Sequence, residues 1–138
     1  MATSGGGLMT EKGSAFLDLM GGEVFRDGSQ GVKIRLTIEP HHTNPRGVMH
    51  GGVVASLLDE AAALAIKELL GLRPQDSGPH LLVEMNVSFL AAARPGDTLE
   101  AEASVLRMGR RVAFAEAQVH RGKTLIAKGR FTFVMQHD

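Results

Sequence analysis

The sequence predicts an α+β protein in which an antiparallel sheet curls around one long central helix. Three observations predict it. Residues 53–70 contain neither Gly nor Pro and are rich in alanine and leucine, which favours helix. The apolar positions of that segment, Val53, Val54, Leu57, Leu58, Ala61, Leu64 and Ala65, cover most of the helical circumference, so protein must surround it. Strand-like segments then follow one another to the C-terminus. Among them Ala113, Ala115 and Ala117 recur at period two, small residues that let a helix lie close against a sheet.

The elements follow in order. Residues 1–13, with Ser4 to Gly7 the most flexible part, read as a leader, and residues 14–138 as a single domain. Ser14 is an N-cap for a short helix to Met20, which Gly21-Gly22 stops. Glu23 to Arg26 is a brief strand before an Asp27-Gly28 turn. Val32 to Glu39 alternates apolar and polar without a fault, the pattern of a half-buried strand. A loop containing Pro40 and Pro45 leads to Gly51-Gly52, where the long helix begins; Gly71 and Pro74 end it. Val83 to Phe89, Leu99 to Leu106, Arg111 to His120 and Thr124 to Met135 are the remaining strands. They are separated by turns at Pro95-Gly96, around Gly109 and at Arg121-Gly122-Lys123. On the last strand Leu125, Ala127, Gly129, Phe131 and Phe133 share one face.

Composition narrows the function classes. Lys plus Arg equals Asp plus Glu, at 15 each, so no overall charge draws the molecule to nucleic acid or to a membrane surface. Near-zero net charge also leaves copies of the chain free to associate. There is no cysteine, which removes disulfides and thiol chemistry and fits a reducing compartment. The N-terminus has neither the apolar run of a secretion signal nor the arginines of a transit peptide. The longest apolar stretch is too short to span a bilayer. The expected location is the cytoplasm.

The chemistry concentrates in His42-Thr43-Asn44-Pro45-Arg46-Gly47-Val48-Met49-His50-Gly51-Gly52, followed by Asp59. Gly51 and Gly52 open the buried helix, where backbone N–H groups have no intrahelical partner and the dipole favours negative charge. Glycine lets a ligand approach that backbone closely, so a carbonyl oxygen becoming an oxyanion is stabilised there. Asn44 and His50 add side-chain hydrogen-bonding groups nearby. Asp59 lies two turns into the apolar helix, where an unpaired carboxylate is costly. Its helical neighbours Ala55, Ser56, Ala62, Ala63 and Ile66 cannot neutralise it. Burial should raise its pKa, which suits a general base; the same carboxylate can serve as a nucleophile. Eight residues at about 1.5 Å each place Gly51 and Asp59 about 12 Å apart along the helix. Joint action on one carbonyl therefore requires two chains, most simply a two-fold dimer with two equivalent sites.

This segment resembles the acyl-coenzyme A thioesterases of the hotdog fold, in particular the PaaI-like and thioesterase superfamily member 2-like branch. The shared pattern is H-x-N-x-x-G-x-x-H-G-G with an acid further along the helix. It is matched by Asn44, Gly47, His50, Gly51, Gly52 and Asp59, and the resemblance covers roughly residues 14–135. It implies the hotdog fold, and acyl-coenzyme A as substrate with no separate cofactor. It also implies a homodimer with shared sites that can pair into a homotetramer. The resemblance further implies roles. The Gly51 N–H polarises the thioester carbonyl with help from His50, Asp59 is base or nucleophile, and Asn44 places water or substrate. One departure is visible: the animal branch carries a serine where this chain has Leu82, so the water-positioning hydroxyl is missing there.

The basic residues of the C-terminal half are a second signal. Arg107, Arg110, Arg111, Arg121, Lys123, Lys128 and Arg130 stand against Glu116 alone, and arginine binds phosphate well. The resemblance places Gly109 to Arg111 and the stretch from Phe89 to Arg94 along the coenzyme A channel, with Gly52 and Arg107 beside them. A bland reading stands against each feature. Gly51-Gly52 can be a tight helix start, and His50 a cap or a satisfied core histidine. Asp59 can pair with Arg46 or with another subunit, and the basic run can be a solvated face. His41, His42, His50 and Asp59 lack metal-binding spacing. Ser56 has no nucleophile elbow around it. An acyl-thioester dehydratase or hydratase on the same fold, and a non-catalytic acyl-coenzyme A-binding protein, are the alternatives to a thioesterase.

Overall fold

Alternating apolar and polar residues give most strands of this chain two unlike faces, and the face that is apolar decides where the helix goes. The computed structural model describes residues 3–4, 8–28 and 31–136, with side chains from residue 10 onward. In chain order the elements are β1 (Thr3–Ser4), β2 (Leu8–Glu11), α1 (Ala15–Met20), β3 (Glu23–Arg26) and β4 (Val32–Thr37). A 3₁₀ turn (Pro40–His42) then leads to α2 (Gly51–Leu69), β5 (His80–Phe89), β6 (Thr98–Met108), β7 (Val112–Arg121) and β8 (Thr124–Met135). The strands form one antiparallel sheet in the order β1-β2-β3-β4-β6-β7-β8-β5. This is the hotdog arrangement, a curved sheet around a long helix.

The inner face of the sheet carries Leu36, Leu99, Ala101, Ala113, Ala115, Ala117, Phe131 and Phe133, all buried. Against it lie Val54, Leu57, Leu58, Ala61 and Leu64 of α2. Ala113, Ala115 and Ala117 are the flat strip that the period-two alanines predict. The expectation that protein surrounds α2 holds on one side only within a single chain. Val53, Ala55, Ser56, Asp59, Glu60, Ala63 and Ala65 are only partly buried, because the sheet covers one face and α1 only part of the other.

α2 begins at Gly51, where the motif places its start; glycine is a poor interior helix former, but the first turn tolerates it because its N–H groups have no intrahelical acceptor. The larger differences from the sequence reading lie at β5 and at the N-terminus. β5 begins at His80 rather than Val83, with a register shift between Leu82 and Glu84 that interrupts the alternation seen in the sequence. The leader expected over residues 1–13 contains strand β2, paired antiparallel with β3. Arg26 on β3 bridges Glu11 of that strand and Glu68 of α2. Thr3–Ser4 of the same leader form β1 beside β2, and Gly5 to Gly7 lie outside the described residues. At the opposite border β5 pairs with β8 alone. That border strand exposes Leu81, Val83, Met85 and Phe89.

Candidate active site

The start of α2 is clamped from both sides before any side chain acts. The Met49 N–H donates to the Ala93 carbonyl at 2.7 Å, and the His50 N–H donates to the His42 carbonyl at 2.8 Å. His42 is itself fixed. Its Nδ1 accepts the Glu39 N–H at 2.9 Å, so Nε2 carries the proton it donates to the Met20 carbonyl at 2.6 Å. With both nitrogens spent and the side chain buried, His42 is a structural histidine. No cluster of His, Asp and Glu fit for a metal ion occurs among the described residues.

His50 is the N-cap of α2. Its Nδ1 accepts the Gly52 N–H at 2.8 Å. A nitrogen that accepts carries no proton, so the ring N–H is on Nε2 and is directed away from the helix as a donor. The position of Gly52 permits this. A Cβ there would stand 3.0 Å from His50 Nδ1 and 3.1 Å from Cε1. Gly51 is the next residue around the turn, and a Cβ on it would touch the Phe89 ring at 3.5 Å. The Gly51 N–H meets no acceptor among the described residues, leaving a donor open at the positive end of a helix.

Asp59 lies about two turns further on. It makes no hydrogen bond or ion pair with any described residue, so the bland pairing with Arg46 is not seen in the single chain. Burial, with the neighbouring Glu60 carboxylate second, pushes its pKa up to about 6. Burial also raises Glu60, which accepts a hydrogen bond from the Ser14 hydroxyl at 3.0 Å. The Ser56 hydroxyl donates to the Gly52 carbonyl at 2.8 Å, so it is committed to its own helix and is not poised as a nucleophile.

Asn44 is held by its own loop. Its Oδ1 accepts the Arg46 N–H at 2.9 Å and its carbonyl accepts the Gly47 N–H at 2.9 Å. It therefore shapes the turn before α2, with Gly47 at φ 80° and the side-chain NH₂ left over. Arg94 opens the turn to Asp97: its N–H donates to Asp97 Oδ2 and its carbonyl accepts the Asp97 N–H.

The basic residues fall into separate groups. Phe89 registers with Ala127 and Val119, whereas Leu82 registers with Phe133 and Ala113, beside the Gly109 to Arg111 hairpin. On β7 and β8 six residues at about 3.3 Å each separate those levels by about 20 Å. Phe89 and Arg94 thus occupy one end of the sheet, and Gly109, Arg110 and Arg111 the other. Arg107 registers with Phe114 on the face turned away from α2, in a groove it shares with Glu84 and Arg130. Arg121 donates to the Ala92 carbonyl at 2.7 Å and faces Asp97 at 3.4 Å, and Lys128 faces Glu116 at 3.7 Å. These last two fit the bland reading of the basic run.

Sequence reasoning missed Glu60 and the outward face of α1. Phe16 and Leu19 are 50% and 80% exposed although Leu17 and Met20 are buried. The signal was available: five apolar residues within the six of α1 are more than one buried face can use.

A hotdog sheet, a long helix opening on two glycines and a raised carboxylate on that helix define a class of protein, and comparison with known proteins names it. Residues 46–128 match the family model for the thioesterase superfamily. The chain belongs to that family. Human acyl-coenzyme A thioesterase 13 is 32% identical over 103 residues, covering 73% of this chain and 70% of that protein. A Pseudomonas aeruginosa relative is 32% identical over 123 residues, covering 88% and 89%. Among solved structures, zebrafish thioesterase superfamily member 2 superposes with a TM-score of 0.69 at 32% identity, covering 83% of this chain and 80% of that one. The Escherichia coli PaaI protein shares the fold, with a TM-score of 0.76 at 20% identity over 89% and 85% of the two chains. No helix among the described residues is long and apolar enough to cross a membrane.

Proposed function

We propose that this chain hydrolyses acyl-coenzyme A thioesters at a site completed by two copies of itself. One observation carries the reading: an unpaired carboxylate with its pKa pushed up to about 6 shares a helix with an open N–H at that helix's start. The thioester carbonyl oxygen accepts the Gly51 N–H, and the Nε2–H of His50 is a second donor beside it. Charge that builds on that oxygen during attack is stabilised by the donors and by the helix dipole.

Asp59 supplies the attack. As a base it takes a proton from water, whose oxygen adds to the carbonyl carbon. Collapse then breaks the carbon–sulfur bond, and coenzyme A thiolate leaves and takes up a proton. As a nucleophile its oxygen adds instead, the adduct expels coenzyme A thiolate, which takes up a proton, and water opens the resulting anhydride. Label found in the Asp59 carboxylate after a single turnover in labelled water identifies the second route, with water opening the anhydride at the aspartyl carbon. Both routes consume water and need no cofactor.

The length of α2 keeps Gly51 and Asp59 of one chain from meeting at one carbonyl. The unpaired border strand β5, with Leu81, Val83, Met85 and Phe89 exposed, is the edge through which a second copy pairs. Antiparallel pairing of two β5 strands about a two-fold axis brings the hairpin end of one chain to the Phe89 end of the other. Gly109, Arg110 and Arg111 of one copy then flank Phe89 and Arg94 of the other, and together they grip the coenzyme A phosphates. Free-thiol release from acyl-coenzyme A by wild type and by Asp59→Asn tests the reading. Turnover should fall about a hundredfold or more in the variant, and a well-folded Asp59→Asn protein with full activity would sink the assignment.

A further inference from the structure

On the side away from α2 the sheet carries its side chains in rows whose order the strand register fixes. One row runs Glu84, Thr132, Phe114, Arg107 across β5, β8, β7 and β6. The next runs Asn86, Arg130, Glu116, Ser104 across the same strands. Flanking the first row, Val134 registers with Val112. Val112, Val134, Phe114 and the neighbouring Leu106 are exposed, and a contiguous apolar patch in water marks a surface that something covers. Among the described residues Glu84, Arg107 and Arg130 enter no salt bridge, while Glu116 meets Lys128 of its own chain at 3.7 Å. Glu84 and Arg107 stand at opposite ends of their row, three strand spacings or about 14 Å apart. That exceeds the screening length of about 8 Å at physiological salt, so they do not pair within one chain.

The face is complementary to itself. A two-fold axis lying against it, parallel to the strands and midway between β7 and β8, sets β6 of a second copy over β5 and β7 over β8. Arg107 of the second copy then faces Glu84, and Glu116 of the second copy faces Arg130. The symmetry makes each contact twice. In the same docking Phe114 lies over Thr132 and Val112 over Val134, and a groove of about 430 Å³ lined by Glu84, Arg107, Arg130 and Thr132 receives the ring. Packed sheets stand about 10 Å apart, a gap that Arg and Glu side chains span together. An axis across the strands, between the two rows, would instead set Glu84 against Asn86 and Arg107 against Ser104, leaving every charge unpaired. The rows from Val134 to Lys128 cover about 500 Å² on each copy, or about 1,000 Å² in all, the size that a specific interface reaches.

We infer that the outer face of the sheet is an interaction surface for a second copy of this chain, docked about a two-fold axis that runs along the strands between β7 and β8. It is a different surface from the β5 edge and does not depend on the thioesterase reading. Arg107, expected beside the coenzyme A channel, takes Glu84 of the second copy as its partner instead. Where β5 edges pair as well, the two contacts together build an assembly of four chains.

Sedimentation equilibrium at micromolar concentration tests the docking with wild type, Glu84→Arg, Arg107→Glu and an equimolar mixture of the two variants. Each variant alone sets like charges against each other at both symmetric contacts, so its assembly should have half the mass of wild type. In the mixture every reversed charge of one variant meets an opposite charge on the other, and the wild-type mass should return. A salt bridge within one chain could not be repaired by mixing. Circular dichroism establishes that each variant is folded, and the same scheme with Arg130→Glu and Glu116→Arg stands in if one is not. Wild-type mass in both single variants overturns the inference, as does a mixture that stays at half mass. A mass halved by Glu84→Arg but not by Arg107→Glu also overturns it, because that result traces the contact to the β5 edge. A wild-type protein that sediments as a single chain overturns both this docking and the shared site.

Discussion

Asp59 is a carboxylate whose surroundings favour its neutral form, and two measurable consequences follow. Its pKa is pushed up to about 6 by burial and by Glu60. If the ionised form is the working base or nucleophile, kcat/KM should fall about tenfold per pH unit below about 6 and level off above it. A profile flat down to pH 5 would assign the chemistry elsewhere. The same shift bears on stability. An acid whose pKa is higher folded than unfolded binds its proton more tightly in the folded state. Stability therefore falls as pH rises from about 4 to about 6, and the penalty is fully present above that window. Asp59→Asn removes it, so chemical denaturation at pH 7 should find the variant more stable by about 1–2 kcal/mol, a figure reduced for the partial exposure of the group. At pH 4 the two proteins should unfold nearly together. Asp59 was legible in the sequence because a lone acid on an alanine-rich helix stands out. Glu60 was not, because its contact with Ser14 is 46 residues away in the chain.

At the scale of the element, the two glycines that open α2 have different work, although they are adjacent and identical. A methyl group on Gly51 meets the Phe89 ring at an ordinary 3.5 Å, whereas one on Gly52 meets the His50 ring at 3.0 Å, inside normal contact. Gly52→Ala should push the imidazole off the Gly52 N–H, lose an N-cap worth about 1 kcal/mol and misdirect Nε2–H. Catalysis should drop about tenfold. The imidazole ¹⁵N shifts of His50 should change in Gly52→Ala and stay near the wild-type values in Gly51→Ala. Unchanged shifts in both would mean the cap tolerates the added carbon. The helix itself was legible from composition, and so was its N-terminal location at the motif. Its start at Gly51 came from the motif rather than from propensity, which counts against glycine wherever it stands, while the first turn asks little of it.

At the scale of the whole molecule, the proposed site draws its groups from two chains. Gly51→Val blocks the approach to the open N–H, and Asp59→Ala removes the carboxylate at the other level of the helix, so each alone should be inactive. A purified heterodimer of the two, made from differently tagged chains, collects both lesions in one site and neither in the other. It should recover activity approaching half that of wild type. No recovery in a folded heterodimer would mean that each chain holds a complete site. The hairpin arginines are tested by distance. Arg110→Ala/Arg111→Ala should raise KM for acyl-coenzyme A about tenfold through lost phosphate contacts. Hydrolysis of an N-acetylcysteamine thioester, which has no nucleotide phosphate, should change little. Equal KM for acyl-coenzyme A in variant and wild type would return these arginines to the solvent.

By itself the sequence determined the fold class, the element order and the position of the motif. It did so because alternation at period two, the alanine strip Ala113 to Ala117 and the gap-free helix are local patterns that need no knowledge of distant contacts. It also singled out Gly51, His50 and Asp59, whose residue types are costly or unusual where they stand. Only the tertiary structure decided that His42 is spent on the backbone of Glu39 and Met20. Only it showed that Asn44 shapes its own turn, that Leu8 to Glu11 join the sheet, and that Arg107 faces away from the helix. The same holds for the exposure of Phe16 and Leu19 on α1. Each of these depends on partners brought together by strand register and by helix packing, so spacing along the chain carries no trace of them.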